Sequence, residues 1–155
     1  MRDYAEFVRD LNNSQSAVST VAMYLQRKRQ HVILPPHQVT PTPEERYEYT
    51  DEGDILVGRK VQVKGSSRDF CSVEDFGFPM ITVDESYKIE EQKKDPPLCY
   101  FIVNKSLSGA IVIDWNTIDS WDEHKSVEPR QGNRECFYRR CPAELCKWRN
   151  LRSST

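Results

Sequence analysis

The sequence has no long apolar run, no paired-cysteine motif and little net charge, and each absence narrows the possible functions. No apolar stretch approaches the roughly 20 residues that a membrane-spanning helix needs. Residues 1–6 contain no apolar core of the kind that signal peptides have. Five cysteines, an odd number without Cys-x-x-Cys spacing, favour free thiols in a reducing cytosol over a secreted disulfide framework. We therefore expect a soluble, cytoplasmic protein.

The net charge is only −2 over 155 residues, which argues against a protein that binds nucleic acid through bulk positive charge. The charge is unevenly distributed, however. From residue 127 onward seven basic and three acidic residues give a net charge of +4, which leaves −6 for the rest of the chain. Such a basic tail either contacts phosphates or forms a solvated surface. The length and the absence of internal repeats predict one domain, residues 1–155.

Apolar periodicity predicts the order of the secondary-structure elements. The expected helices are a short one over residues 4–11, a second over 15–29 with Ser14 or Ser16 as its N-cap, and a last one over 143–151 that Pro142 opens. Residues 85–93 are expected to form an exposed helix or turn, and residues 116–123 a helix. The expected strands are 31–34, a hairpin within 53–65 that turns at Gly58, 81–83, a covered hairpin of 98–103 with 110–113, and 136–139. A proline-rich loop occupies residues 35–51.

The hairpin within residues 53–65 carries the most informative polar residues. Along its second strand Val61 and Val63 face one way, while Gln62 and Lys64 face the other, because successive side chains of a strand alternate. Asp54 begins the first strand and therefore lies beside Gln62 and Lys64 at the edge of a sheet. A carboxylate, an amide carbonyl and an ammonium together suit a hard cation that is bound to a phosphate.

The order Asp, then (Glu or Gln)-x-Lys one strand later, resembles the core of the PD-(D/E)XK nuclease superfamily in its Gln-x-Lys form. The resemblance implies an α/β, restriction endonuclease-like fold with a mixed central sheet flanked by helices. It also implies a metal-dependent endonuclease that hydrolyses phosphodiester bonds in DNA, of the branched-DNA or restriction type. Asp54 and Gln62 would bind Mg²⁺ or Mn²⁺, and Lys64 would orient the attacking water or stabilise the transition state. Since Gln is uncharged, the metal would bind weakly unless another acid helps.

The superfamily often adds a Glu from the first helix, and here the sequence departs from the pattern. The predicted helix over residues 15–29 contains no acid, so Glu6, on the shorter helix before it, is the closest substitute. Glu44, Glu45 and Glu48 of the proline-rich loop are the other candidates. The departure leaves a second interpretation open, a catalytically inactive module of the same fold that binds nucleic acid or a protein. A third is an assembly factor with no nucleic-acid role, which the acidic body of the chain favours.

Residues that follow the motif strand are candidates for DNA binding. Ser66, Ser67 and Arg68 are placed to contact a phosphate backbone, although a plain surface turn explains them as well. Tyr87 and Lys88 are weaker candidates for the same role. DNA is therefore the expected partner, and the resemblance favours a homodimer, because two strands need two sites.

Cysteine and histidine offer a further set of candidate ligands. Cys136, Cys141 and Cys146 lie at intervals of five and would need a fourth ligand, from Cys71 or Cys99 for an iron–sulfur cluster or from His124 for zinc. Cys99 lies in an apolar strand, where cysteine behaves as a small hydrophobic residue. His31 and His37 have no catalytic group nearby in the sequence, which favours structural roles.

Overall fold

The computed structural model describes residues 4–28, 30, 32–35, 54–58, 60–128 and 134–152, with the backbone alone for residues 4–11 and 56. In these residues the protein is mixed α/β, with two β-sheets and few helices. The helices are α1 (Tyr4–Arg27), α2 (Val73–Phe76) and α3 (Ser86–Gln92), with 3₁₀ turns at Trp115–Ser120 and Ala143–Leu145. The strands are β1 (Ile55–Leu56), β2 (Lys60–Gly65), β3 (Met80–Glu85), β4 (Cys99–Val103), β5 (Gly109–Asp114), β6 (Asp122–Glu128), β7 (Arg134–Pro142) and β8 (Lys147–Asn150).

The larger sheet has five strands in the order β1-β2-β4-β5-β8, and the smaller has three in the order β3-β7-β6. The larger sheet is mixed, because β2 pairs with β4 in parallel while the other neighbours are antiparallel. The connection from β2 to β4 contains β3 and α3, which is the long crossover that a parallel pair requires. All five residues of β4 are buried, so this central strand is covered on both faces.

Two apolar cores lie on the two faces of the larger sheet. On one face α1 packs through Ala17 and Val21 against Val61, Val63 and the alternate residues of β4 and β5. On the other face the smaller sheet and α3 pack against the remaining residues of those strands. This second core holds Phe70, Ile81, Val83, Ile89, Tyr100, Ile102, Ile111, Ile113, Trp115, Trp121 and Cys141. The larger sheet is therefore the middle layer of the fold.

Several predicted elements are confirmed. The motif hairpin exists, with β1 antiparallel to β2 and a positive φ of 61° at Gly58, where glycine carries no steric cost. The strand at residues 81–83 is β3, and the helix predicted within 85–93 is α3. The covered hairpin is β4 with β5, and the late strand is the longer β7.

The two helices predicted near the N-terminus are wrong, because α1 runs without a break from Tyr4 to Arg27. Asn12 and Asn13 are exposed, and the Ser16 hydroxyl donates back to the Asn12 carbonyl oxygen at 2.9 Å rather than capping a new helix. Burial of Ala17 and Val21 against the sheet stabilises the helix beyond what local propensity favours. As a consequence, Glu6 belongs to the same helix that packs on the sheet.

The predicted C-terminal helix over residues 143–151 is also wrong. After the 3₁₀ turn at Ala143–Leu145 the chain forms β8, which pairs with β5 from Gly109↔Asn150 to Val112↔Lys147. The partner strand explains the outcome, because β8 satisfies backbone groups of β5 that a helix would leave unpaired. The helix predicted at 116–123 is only a 3₁₀ turn over Trp115–Ser120, and β6 then begins at Asp122.

The strand predicted at residues 31–34 is reduced to a single bridge at Ile33. Ile33 and Leu34 are 54% and 52% exposed, and of the described residues of this run only Val32 packs against the core beneath α1. His31, His37 and residues 36–51 of the proline-rich loop, including Glu44, Glu45 and Glu48, lie outside the described residues. Across the part of the chain that is described, no helix combines the length and apolar character needed to cross a membrane.

We expect Gly109→Ala to destabilise the protein by about 3 kcal/mol, because the added methyl group overpacks the core. A Cβ atom at Gly109 would lie 2.1 Å from Trp148 Cζ2 and 3.0 Å from the Arg149 carbonyl oxygen. Gly65→Ala is the matched control, since its Cβ would meet only Ala17 Cβ at 3.9 Å and the Asn13 carbonyl oxygen at 4.0 Å. Urea unfolding of both variants gives the comparison. Equal stabilities would contradict the packing of β8 on β5.

Candidate functional site

The side chains of β2 are apolar on one face of the larger sheet and polar on the other. Val61 and Val63 are buried in the core beneath α1. Gln62 and Lys64 occupy the opposite face, where their register partners on β4 are Tyr100 and Ile102 of the second core. The predicted alternation is therefore confirmed. Because the smaller sheet covers this face, Gln62 is only 3% exposed.

Asp54 lies at the edge of β2. Its Oδ2 accepts a hydrogen bond from the Val63 backbone N–H at 2.5 Å, and its own N–H donates to the Val61 carbonyl oxygen at 3.2 Å. The Val63 nitrogen is bonded to the carbonyl carbon of Gln62, so Asp54 Oδ2 lies at most about 5 Å from the Gln62 Cα. Continuing the Ile55↔Val61 register by one residue places Asp54 across from Gln62. The hairpin thus brings the Asp54 carboxylate to the stretch of β2 that carries Gln62 and Lys64.

The structure adds an acid that the sequence patterns did not reveal. Asp84 of β3 lies in the smaller sheet, and its Oδ2 is 2.7 Å from Lys64 Nζ. Asp84 is 6% exposed, and a carboxylate so deeply buried keeps its charge only beside a cation. At this distance the ammonium and the carboxylate form a close, charge-assisted contact. The pair joins the two sheets.

A β-bulge explains why Asp84 points inward. The pairing of β3 with β7 shifts between Thr82 and Asp84, and both Val83 and Asp84 are buried although they are neighbours on one strand. Bulges re-aim side chains and occur often beside active sites. Strict alternation from the buried Ile81 would have placed Asp84 on the outer face. The signal that the sequence does contain is the Asp-Glu-x-x-Lys spacing at residues 84–88.

Helix α3 completes the charged cluster. Lys88 Nζ lies 3.8 Å from Asp84 Oδ1 and 3.5 Å from Glu85 Oε2, since residues three and four apart are neighbours at a helix start. Asp84 Oδ1 also accepts the Glu85 backbone N–H at 2.9 Å. Lys88, a candidate for phosphate binding, is thus paired with two acids. Tyr87 lies beside it, with Lys88 Nζ 5.8 Å from the centre of its ring.

The predicted helix acid, Glu6, lies on α1 near its N-terminus. The Asn13 carbonyl oxygen is 4.0 Å from the position that a Cβ on Gly65 would occupy, so α1 passes over the end of β2 that follows Lys64. Glu6 precedes Asn13 by seven residues, which is about 10 Å along a helix. Its side chain lies outside the described residues.

The donor set around β2 suits a hard cation. Mg²⁺ usually binds through one or two carboxylates and substrate phosphate oxygens while keeping several waters. Asp54, at the edge of β2, and Asp84, beside Lys64, are two carboxylates near this strand, and Gln62 of β2 carries an amide oxygen. Within the described ranges no three His, Cys, Asp or Glu side chains form a metal-binding group. A cation would therefore need the Gln62 oxygen, water and substrate to complete its shell.

The loop that follows β2 is held in place by the β4–β5 hairpin. Ser66 N–H donates to the Val103 carbonyl oxygen at 2.8 Å, and Lys105 N–H donates to the Arg68 carbonyl oxygen at 3.0 Å. Ser67 is exposed on this loop. The Arg68 guanidinium lies 4.9 Å from the ring centre of Phe78, which is 51% exposed. The loop thus presents a stacked arginine to solvent, although Asp69, Glu74 and Asp75 make its surroundings acidic.

The structure does not bring three cysteines together. Cys136 and Cys141 are five residues apart on β7, which places them about 17 Å apart and on opposite faces. Cys99 lies in the core beneath α1, and burial, with a smaller effect of Asp114, raises the pKa of its thiol to about 12. Cys71 and His124 are exposed elsewhere. A cluster or zinc site built on these residues therefore has no support.

Because Asp84 is buried, we expect the loss of Lys64 to destabilise the protein more than the loss of a lysine paired with an exposed acid. Lys64→Met should cost about 2 kcal/mol of unfolding free energy, because it leaves Asp84 with only the more distant Lys88. Lys60→Met is the matched control on the same strand, since Lys60 also lies 2.7 Å from an acid, but Asp95 is 73% exposed. That control should cost less than about 1 kcal/mol. Urea unfolding of both variants measures these losses. Equal losses of unfolding free energy would contradict a buried Lys64–Asp84 pair.

Comparison of the chain with known protein families, with curated proteins and with solved structures finds no match. Function must therefore be inferred from the residues and their geometry.

Proposed function

We propose that this protein is a metal-dependent endonuclease that hydrolyses phosphodiester bonds in DNA, built on a restriction endonuclease-like core. The observation that carries the proposal is the meeting of Lys64 and Asp84 beside Gln62, with the Asp54 carboxylate at the edge of the same strand. These groups come from two sheets and include a buried carboxylate. A buried ion pair contributes little net stability, so its presence here favours a functional site.

The fold supports the proposal in two ways. The parallel pairing of β2 with β4 gives the mixed sheet that the resemblance to PD-(D/E)XK nucleases implies. The continuous helix α1 places Glu6 on the first described helix, where that superfamily often has its additional acid, although the body of α1 covers the face opposite Gln62 and Lys64. One feature differs from the implied architecture, because a three-stranded sheet with α3 covers the second face.

Each residue of the site has a role in this proposal. Asp54, Asp84 and the Gln62 side-chain oxygen hold Mg²⁺ or Mn²⁺. When bound, the metal lowers the pKa of a coordinated water and offsets the charge of the scissile phosphate. Lys64 is oriented by Asp84, and its ammonium stabilises the charge that develops on the phosphate oxygens. Its side chain is 35% exposed, so the ammonium can reach an incoming backbone.

The same ion pair supports a second candidate, the inactive module that binds nucleic acid or a protein. If Lys64 serves only to neutralise Asp84, then the pair is a structural link between the sheets and β2 carries no chemistry. The two candidates differ in metal binding. A nuclease needs the carboxylates to take up a divalent cation, and a structural pair does not.

We expect the purified protein to cut plasmid or branched DNA in Mg²⁺ or Mn²⁺. Lys64→Ala should lower the rate on the order of a hundredfold or more, because it removes a contact to the transition state. Lys60→Ala, on the same strand, should leave the rate unchanged. Gel assays at matched protein concentration, with circular dichroism to confirm folding, measure both. Undiminished cutting by Lys64→Ala would remove the catalytic role of this residue.

A titration with Mn²⁺ separates the two candidates. In the nuclease, calorimetry should detect binding at millimolar affinity or better, and Asp54→Asn should weaken it. If Mn²⁺ does not bind and the wild type does not cut, while DNA binding persists, the module is the correct interpretation. If DNA affinity is also unmeasurable at low salt, where electrostatic attraction is strongest, the assembly factor replaces both.

DNA binding should depend on the arginine of the loop after β2. We expect Arg68→Ala to weaken binding of a short duplex several-fold and to reduce the slope of log affinity against log salt by about one, as the loss of one phosphate contact predicts. Lys94→Ala, an exposed cation just after α3, serves as the control. Fluorescence anisotropy at several salt concentrations measures both variants. An unchanged salt slope in Arg68→Ala would exclude a phosphate contact by this residue.

A further inference from the structure

Two of the five cysteines lie close together in the fold, and neither belongs to the proposed nuclease site. The sulfur atoms of Cys141 and Cys146 are 3.8 Å apart. Cys141 is fully buried, and Cys146 is partly exposed. The three remaining cysteines, Cys71, Cys99 and Cys136, lie elsewhere in the fold and are also free thiols.

The contacts of the pair shift the pKa values of the two thiols in opposite directions. Cys146 Sγ donates a hydrogen bond to Cys141 Sγ, and the Thr117 hydroxyl lies 3.7 Å from the same sulfur. The hydrogen bond from Cys146 lowers the pKa of the Cys141 thiol and raises that of the Cys146 thiol. The hydrogen bond thus favours a thiolate at Cys141 over one at Cys146. A thiolate beside a thiol is the state from which dithiols are oxidised.

The pair also occupies a crossing point in the fold. Cys141 belongs to β7 of the smaller sheet, and Cys146 immediately precedes β8 of the larger sheet. The 3₁₀ turn at Ala143–Leu145 connects them, and both sulfur-bearing side chains border the core between the sheets. A covalent bond here would close a short loop where the chain passes from one sheet to the other.

We propose that Cys141 and Cys146 form a redox-active dithiol that a hydroperoxide converts into an intramolecular disulfide. The Cys141 thiolate attacks the terminal oxygen of the hydroperoxide, whose O–O bond breaks, so that a sulfenic acid forms and an alcohol leaves after taking up a proton. Cys146 then attacks the Cys141 sulfur and displaces water. Two thiols are oxidised and one peroxide is reduced to one alcohol and one water. The sulfurs close from 3.8 Å to the S–S bond length of about 2.05 Å.

The experiment uses the full chain with Cys71→Ser, so that the exposed thiol does not react. After hydrogen peroxide treatment and removal of excess oxidant, we expect the unfolded chain to show two fewer titratable thiols and a mass lower by about 2 Da, the loss of two hydrogen atoms. Peptide mapping should place the bond between Cys141 and Cys146. Dithiothreitol should reverse the change. A bond that involves Cys99 or Cys136, or two intact thiols at the pair, would overturn the proposal.

A second variant tests whether Cys141 is the sulfur that is oxidised first. Cys146→Ser replaces the partly exposed sulfur and should fold. With no resolving thiol it should accumulate a Cys141 sulfenic acid, which dimedone traps when the oxidised chain is unfolded in its presence. Cys136→Ser is the matched control on β7 and should oxidise as its parent does. The oxidised parent should also melt about 4 °C higher than the reduced form, because the bond closes a short loop in the unfolded chain. No dimedone adduct at Cys141 in Cys146→Ser would overturn the proposed role of that sulfur.

Discussion

The central strand of the larger sheet needs apolar cover on both faces, and most of the architecture follows from this constraint. Every residue of β4 is buried, so α1 covers one face and the smaller sheet covers the other. Strand β2 lies beside β4 and shares this burial. Gln62 therefore faces an interior layer, and Lys64 lies at the border of that layer with 35% of its side chain exposed. A lysine in that position requires an acid across the layer, and Asp84 provides it at 2.7 Å.

The Lys64–Asp84 pair is informative because it is a poor source of stability. Apolar residues of similar size often stabilise a core as well as or better than a buried ion pair. The bulge in β3 that turns Asp84 inward also interrupts a ladder of backbone hydrogen bonds. Two unfavourable features thus meet beside β2, the strand that carries Gln62 and that Asp54 borders. Their coincidence supports the proposal that this stretch binds a cation and a phosphate.

Local periodicity predicted the elements whose partners are close in sequence. The β1–β2 hairpin, the β4–β5 hairpin and α3 depend on alternation, turn residues and short loops, and all three were predicted. The N-terminal helix and the C-terminal segment were predicted wrongly for one reason. Asn12 and Asn13 disfavour a helix locally, and the residues after Pro142 favour one, but contacts with distant strands override both preferences.

By itself the sequence determined that Gln62 and Lys64 share a face and that Asp54 approaches them, because strand alternation and a tight hairpin are local properties. Only the tertiary structure decided that Asp84 completes the cluster and that Cys141 meets Cys146. Asp84 reaches Lys64 through a bulge and the stacking of two sheets, and strict alternation would have placed it on the outer face. The two sulfurs meet because the chain turns between those same sheets. Such contacts depend on how layers pack, and packing is set by the whole apolar pattern rather than by any one segment.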